Sequence, residues 1–120
     1  MKFYYNGKLV RTSKTRDYKY AIIWPDGECT SCHGTLESAK KEYRRYIAEA
    51  EGCIEEAKQI IQAIRKGRTY FDYKVCRRWS RMKLTGEKAS EEYWEEFIAS
   101  KNKRIEELEA RRIVELEARA

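Results

Sequence analysis

Between Phe71 and Lys83, aromatic rings are interleaved with cations: Phe71, Tyr73 and Trp79 stand among Lys74, Arg77, Arg78, Arg81 and Lys83. That combination fits a nucleotide. A ring face stacks on a nucleobase at about 1–3 kcal/mol per base in single-strand binders, and a guanidinium grips phosphate through two parallel N–H bonds. Each ring has a second use, as core, and each cation a second use, as a solvated surface charge. For the rings the two uses stand level. Lys101, Asn102, Arg104 and Arg112 form a second group. Lys101 and Arg112 fall where an amphipathic helix carries apolar residues, and a buried unpaired charge is costly. Such positions meet a carboxylate, a bound anion or water, or else the stripe is exposed there.

Other chemistry is weaker. Cys29-Thr30-Ser31-Cys32-His33 matches the CxxCH attachment signal of c-type haem, but haem attachment needs an exported chain, a second axial ligand and an apolar pocket. Zinc would find three ligands in Cys29, Cys32 and His33, whereas a structural site takes four. Cys53 and Cys76 are isolated in sequence. The plain reading of this segment is a strand or turn of small residues leading into a helix. His33 is the only histidine, so it would have to serve as the base of any Cys–His pair, and no glycine-rich phosphate loop precedes a helix. The expectation is therefore a binding protein without catalytic residues, metal or cofactor.

The charge pattern agrees with anion binding. The chain of 120 residues has a formal charge of +6, with 42% hydrophobic and 38% charged residues. Six bases and one acid lie in residues 1–24, and eight bases and one acid in residues 65–84; the rest is net acidic. Concentrated positive charge recruits anions, most often phosphates. No run of about 18 apolar residues is present, so no membrane span is expected. The N-terminus lacks the apolar stretch of a secretory signal, which points to a cytosolic protein with reduced thiols.

The elements that must position these residues read as one α+β domain over residues 1–120, a small antiparallel sheet with two long helices. Residues 1–34 are β-rich. Phe3-Tyr4-Tyr5 and Lys8-Leu9-Val10-Arg11-Thr12 flank Asn6-Gly7, a strong hairpin signal, and residues 18–24 form a third strand. A long helix spans 35–67, with Thr35 as N-cap and Gly67 as its stop. Its stripe runs Leu36, Ala39, Tyr43, Tyr46, Ala50, Cys53, Ala57, Ile60, Ile64 in steps of three and four, widened by Ile47, Ile54 and Ile61. Residues 69–84 read as a strand and 90–118 as a second long helix capped by Ser90. With a thin core and long apolar stripes, the helices are expected to pair with those of another copy, giving a homo-oligomer, dimer or higher.

The segments Tyr5-Asn6-Gly7-Lys8-Leu9-Val10-Arg11-Thr12-Ser13-Lys14, Tyr18-Lys19-Tyr20-Ala21 and Ser38-Ala39-Lys40-Lys41-Glu42-Tyr43 give the chain a resemblance to small phage-encoded proteins, among which it resembles the anti-Thoeris sponge family. The resemblance implies a protein that does no chemistry. It would capture a cyclic ADP-ribose-type nucleotide made by a TIR-domain enzyme, in the cytoplasm of the infected bacterial host. Some members also hold cyclic oligonucleotides, in pockets formed between helix-assembled subunits. No individual position is carried over from the family. Binding of RNA or single-stranded DNA is the alternative reading of the same basic, aromatic segment.

Overall fold

The computed structural model describes residues 1–120. The order of elements is β1 (Lys2–Tyr5), β2 (Lys8–Thr12), β3 (Tyr20–Ile23), β4 (Cys29–His33), α1 (Leu36–Arg65), β5 (Tyr70–Val75), β6 (Arg78–Lys83), a 3-10 turn (Gly86–Ala89), α2 (Glu91–Glu109), β7 (Arg112–Glu115) and β8 (Glu117–Arg119). The chain is α+β, with two long helices and three small antiparallel sheets, ordered β2-β1-β8, β4-β3-β7 and β5-β6. The expectation of one sheet is thus corrected to three. Contacts divide the chain into two compact units, Met1–Ala48 with Ile105–Ala120, and Glu49–Arg104. Both helices contribute residues to both units.

In the first unit, β1 and β2 turn on Asn6 and Gly7, whose φ angles of 50° and 77° are the left-handed pair of a type I′ turn. Phe3 is fully buried and meets Tyr18 edge-on, with centroids 5.5 Å apart. Ile22, Ile23, Ile47 and Leu108 are the other large buried side chains of this unit. Burying each contributes about 1.5–3 kcal/mol.

Helix α1 begins as its sequence dictates. The Thr35 hydroxyl accepts the Ser38 amide at 3.1 Å, a standard N-cap bond. It ends in a Schellman motif: Gly67 sits at φ 73°, its amide donates to Ile64, and the Arg68 amide donates to Ala63. Of the expected stripe, Ala39, Ala50, Ala57 and Ile60 are buried, as are the widening Ile47, Ile54 and Ile61, whereas Leu36 and Tyr46 are exposed.

In the second unit Ala57, Ile60, Ile61, Ala63, Leu84 and Trp94 make one buried cluster, with Phe71, Met82, Phe97 and Ile98 packed against it. The Trp94 indole donates to the Lys88 carbonyl at 3.0 Å. Trp94 thereby fastens the 3-10 turn to α2.

Two element boundaries depart from expectation. Residues 69–84 are a hairpin rather than one strand, because Cys76 and Arg77 both adopt left-handed φ angles of 49° and 69° and reverse the chain. The second helix stops at Glu109 rather than near residue 118, and residues 112–119 form β7 against β3 and β8 against β1. Arg111 makes that stop. It is buried, its Nε donates to the Leu108 carbonyl at 2.9 Å, and its second nitrogen donates to the Tyr43 carbonyl at 2.8 Å. The Tyr43 hydroxyl in turn donates to the Glu109 carbonyl at 2.9 Å. The last carbonyls of α2 are therefore satisfied by side chains, the work a terminal glycine usually makes unnecessary.

Candidate functional site

The β5–β6 register pairs Phe71 with Met82, Asp72 with Arg81, Tyr73 with Ser80 and Lys74 with Trp79. Directly paired residues share a face, and faces alternate along each strand. The inner face therefore holds Phe71, Tyr73, Val75, Arg78, Ser80 and Met82, and the outer face holds Tyr70, Asp72, Lys74, Trp79, Arg81 and Lys83. This arrangement decides the two uses left open for the rings. Phe71 packs against the core cluster. Tyr73 is half-buried. Trp79 is 72% exposed, the most exposed large apolar side chain of the chain.

Trp79 shares its face with Lys74, Arg81 and Lys83. The Lys74 ammonium lies 5.9 Å from its ring centroid. Arg77 lies in the reversal at the hairpin tip, and Arg78, paired with Val75, lies on the opposite face; both are exposed. Arg81 stacks over Tyr70 at 5.3 Å and forks onto Asp72, with Nε 2.7 Å and the second nitrogen 3.4 Å from the two carboxylate oxygens. That hydrogen bond, with the Arg81 and Arg68 charges, holds the Asp72 carboxyl below its ordinary pKa. Both partners lie in solvent, so the pair orders Arg81 more than it stabilises the fold. Tyr70 belongs to this face and was not singled out from the sequence. Only the hairpin register, hidden without a turn signal, brings it beside Arg81.

Beside β5, a cavity of about 390 Å³ is lined by Phe71, Asp72, Tyr73, Lys74 and Trp79 on one side and by Gly52, Glu55, Glu56 and Gln59 of α1 on the other. Its helix wall is acidic, which disfavours phosphate there and favours groups that donate hydrogen bonds. A larger open groove of about 620 Å³ lies on the N-terminal part of α1, lined by His33, Ser38, Lys41, Glu42, Arg44, Arg45 and Ala48. It offers cations without an aromatic platform, so it lacks the stacking half of a nucleotide site.

The second group is divided between two elements. Lys101, Asn102 and Arg104 lie on α2, whereas Arg112 lies on β7 in the other compact unit. Lys101 is half-buried, with its ammonium 5.4 Å from the Phe97 centroid. Asn102 and Arg112 are exposed, and Arg112 pairs with Ile23 along the ladder. The buried cation at this end of the chain is Arg111. It lies 5.5 Å from the Trp24 ring centroid and 5.1 Å from that of Tyr43, so two ring faces join the backbone carbonyls around its guanidinium.

No triad of metal-ligating side chains forms. His33 turns away from the cysteines, its Nε2 2.7 Å from the Ser31 hydroxyl and its Nδ1 2.9 Å from that of Ser38. No helix is long and apolar enough to cross a membrane. Comparison with protein-family models, curated proteins and solved structures finds no match.

Proposed function

We propose that the outer face of the β5–β6 hairpin binds a nucleotide-type ligand and does not transform it. The observation that carries this reading is Trp79, exposed over most of its surface on the face that also carries Lys74, Arg81 and Lys83, with the Lys74 ammonium 5.9 Å from its ring centroid. Core packing does not account for an indole in that position, and an isolated solvated cation does not need one beside it. Trp79 and Tyr70 would take the base and ribose faces, and the arginines the phosphates. Phe71 and Tyr73 support the platform from within. Glu55 and Glu56 offer acceptors to an exocyclic amine.

The resemblance to the anti-Thoeris sponge family narrows the ligand to a cyclic ADP-ribose-type signal, sequestered in the cytoplasm of an infected bacterium, with cyclic oligonucleotides as a further class. A small ligand held tightly needs more enclosure than one open hairpin face offers. A second copy of the chain would supply the missing wall, and exposed Val75 and Trp79 at the hairpin and exposed Leu36 and Tyr46 on α1 are apolar surface for such contacts. The same openness favours a second reading, single-stranded RNA or DNA laid across the hairpin.

Calorimetry separates the two. Cyclic ADP-ribose isomers should bind with a modest salt dependence, whereas a short oligonucleotide should bind with an affinity that falls steeply with salt. Absence of heat with every isomer removes the sequestration reading, and absence of heat with both ligand types removes the site.

A further inference from the structure

The CxxCH segment finds no place in the function above, yet its two thiols are brought together. In a regular strand, residues three apart point to opposite faces. Here the β3–β4 register slips between Ile22 and Ile23: Ile22 faces Ser31 and Ile23 faces Cys29, leaving Thr30 as the extra residue of a bulge. The Thr30 hydroxyl donates to the Ile22 carbonyl at 3.1 Å and pins that bulge. The consequence is a Cys29 Sγ to Cys32 Sγ separation of 3.7 Å, with both cysteines half-buried and free. The Cys29 thiol also lies 3.4 Å from the Ser31 carbonyl. From β2, the Arg11 guanidinium lies close enough to lower the Cys32 thiol.

We propose that Cys29 and Cys32 form a redox-active dithiol that is oxidised by thiol–disulfide exchange with a small-molecule disulfide. A sulfur–sulfur distance of about 3.8 Å would equally suit two ligands of a tetrahedral zinc ion. The surroundings argue against a cation: His33 is occupied by two serine hydroxyls, no third metal-ligating side chain joins the pair, and a guanidinium stands where a dication would be repelled. The same guanidinium favours a thiolate. The hydrogen bond from Cys29, with Arg11 beside it, brings the Cys32 thiol down to about 6, while its bond with Cys32 and burial push the Cys29 thiol upward. The pair thus shares one proton between its sulfurs, and the attack falls to Cys32, the thiol lowered by Cys29 and Arg11.

The exchange balances in two steps. The Cys32 thiolate attacks one sulfur of the external disulfide; that S–S bond breaks, a mixed disulfide forms on Cys32, and one small thiolate leaves. Cys29 then loses its proton and attacks the Cys32 sulfur, forming the Cys29–Cys32 bond and expelling the second thiolate. The protein loses two hydrogens, and one external disulfide is reduced to two thiols.

Glutathione disulfide serves as the probe on the full chain, read by intact-mass and peptide mass spectrometry. The wild type should lose two hydrogens and yield a Cys29–Cys32 linked peptide. Cys29→Ser should stop at a glutathione adduct on Cys32, and Cys32→Ser should react at least tenfold more slowly at the remaining position. Alkylation of Cys32 by iodoacetamide should rise with pH around about 6 and level off by neutrality. Glutathione adducts that persist in the wild type would overturn the proposal. So would a linkage through Cys76 or Cys53, or a Cys32 alkylation rate that keeps rising well above neutrality.

Discussion

At Trp79 the fold and the ligand make opposite demands, and this gives the hairpin its clearest test. An indole 72% exposed contributes little to the core, so Trp79→Ala should change unfolding free energy by less than about 0.5 kcal/mol. The same change should weaken ligand binding by roughly tenfold or more, the equivalent of one lost stacking contact. Denaturant titration and calorimetry on one sample measure both. Asp72 acts in the reverse sense, because its carboxylate occupies the Arg81 fork. Asp72→Asn should tighten an anionic ligand by roughly two- to fivefold as that guanidinium is released. Arg111 belongs to stability alone. Its buried guanidinium satisfies the Leu108 and Tyr43 carbonyls, and Arg111→Met should cost about 2–4 kcal/mol in urea denaturation. The run of rings and cations was legible in the sequence, but which ring stands in solvent was not, because core and surface uses stood level until the register of β5 and β6 separated Trp79 from Phe71. Tyr70 and Arg111 were not legible either, since their roles depend on a strand register and on a helix end that no local residue type marks.

At the level of elements, legibility follows the turn chemistry. Asn6-Gly7, Thr35 and Gly67 each do one physical job, and the hairpin, the start of α1 and its end fall where those residues stand. The reversal at Cys76-Arg77 has the same left-handed backbone as Asn6-Gly7 without either favoured residue, and a continuous strand was the natural reading. Such a backbone costs an L-residue about 1–2 kcal/mol. Its presence at the tip of the basic face gives a prediction with two signs. Arg77→Gly should raise unfolding free energy by about 1 kcal/mol and weaken binding of a phosphate-bearing ligand by removing a cation. A variant that gains stability and keeps full affinity would place Arg77 outside the site. The C-terminal strands were missed for a related reason. Arg112-Ile113-Val114 carries the β-branched residues of a strand, but the acids and bases before it keep helical spacing, and the stop comes from Arg111 rather than from glycine.

Over the whole molecule, the buried row of α1 is filled within the chain by small and branched residues, so assembly through the helices has to use what remains exposed. If a second copy closes the ligand site, light scattering at micromolar concentration should give at least a dimer mass, and Leu36→Glu with Tyr46→Glu should lower it to that of the monomer. A monomer mass for the wild type would leave the hairpin an open face, suited to a polymer rather than an enclosed signal. The formal charge of +6 also makes any encounter with an anion salt-dependent, so specificity must be judged at fixed ionic strength.

The three tryptophans offer the most direct measurement. Trp79 is exposed on the hairpin, Trp94 is buried in the cluster of the second unit, and Trp24 lies beside Arg111 in the first. Protein labelled with 5-fluorotryptophan should give three fluorine resonances, with Trp79 identified by Trp79→Phe. Titration with cyclic ADP-ribose isomers should shift the Trp79 resonance and leave those of Trp24 and Trp94 in place. A ligand that binds by calorimetry while the Trp79 resonance stays still would contradict the assignment of this surface.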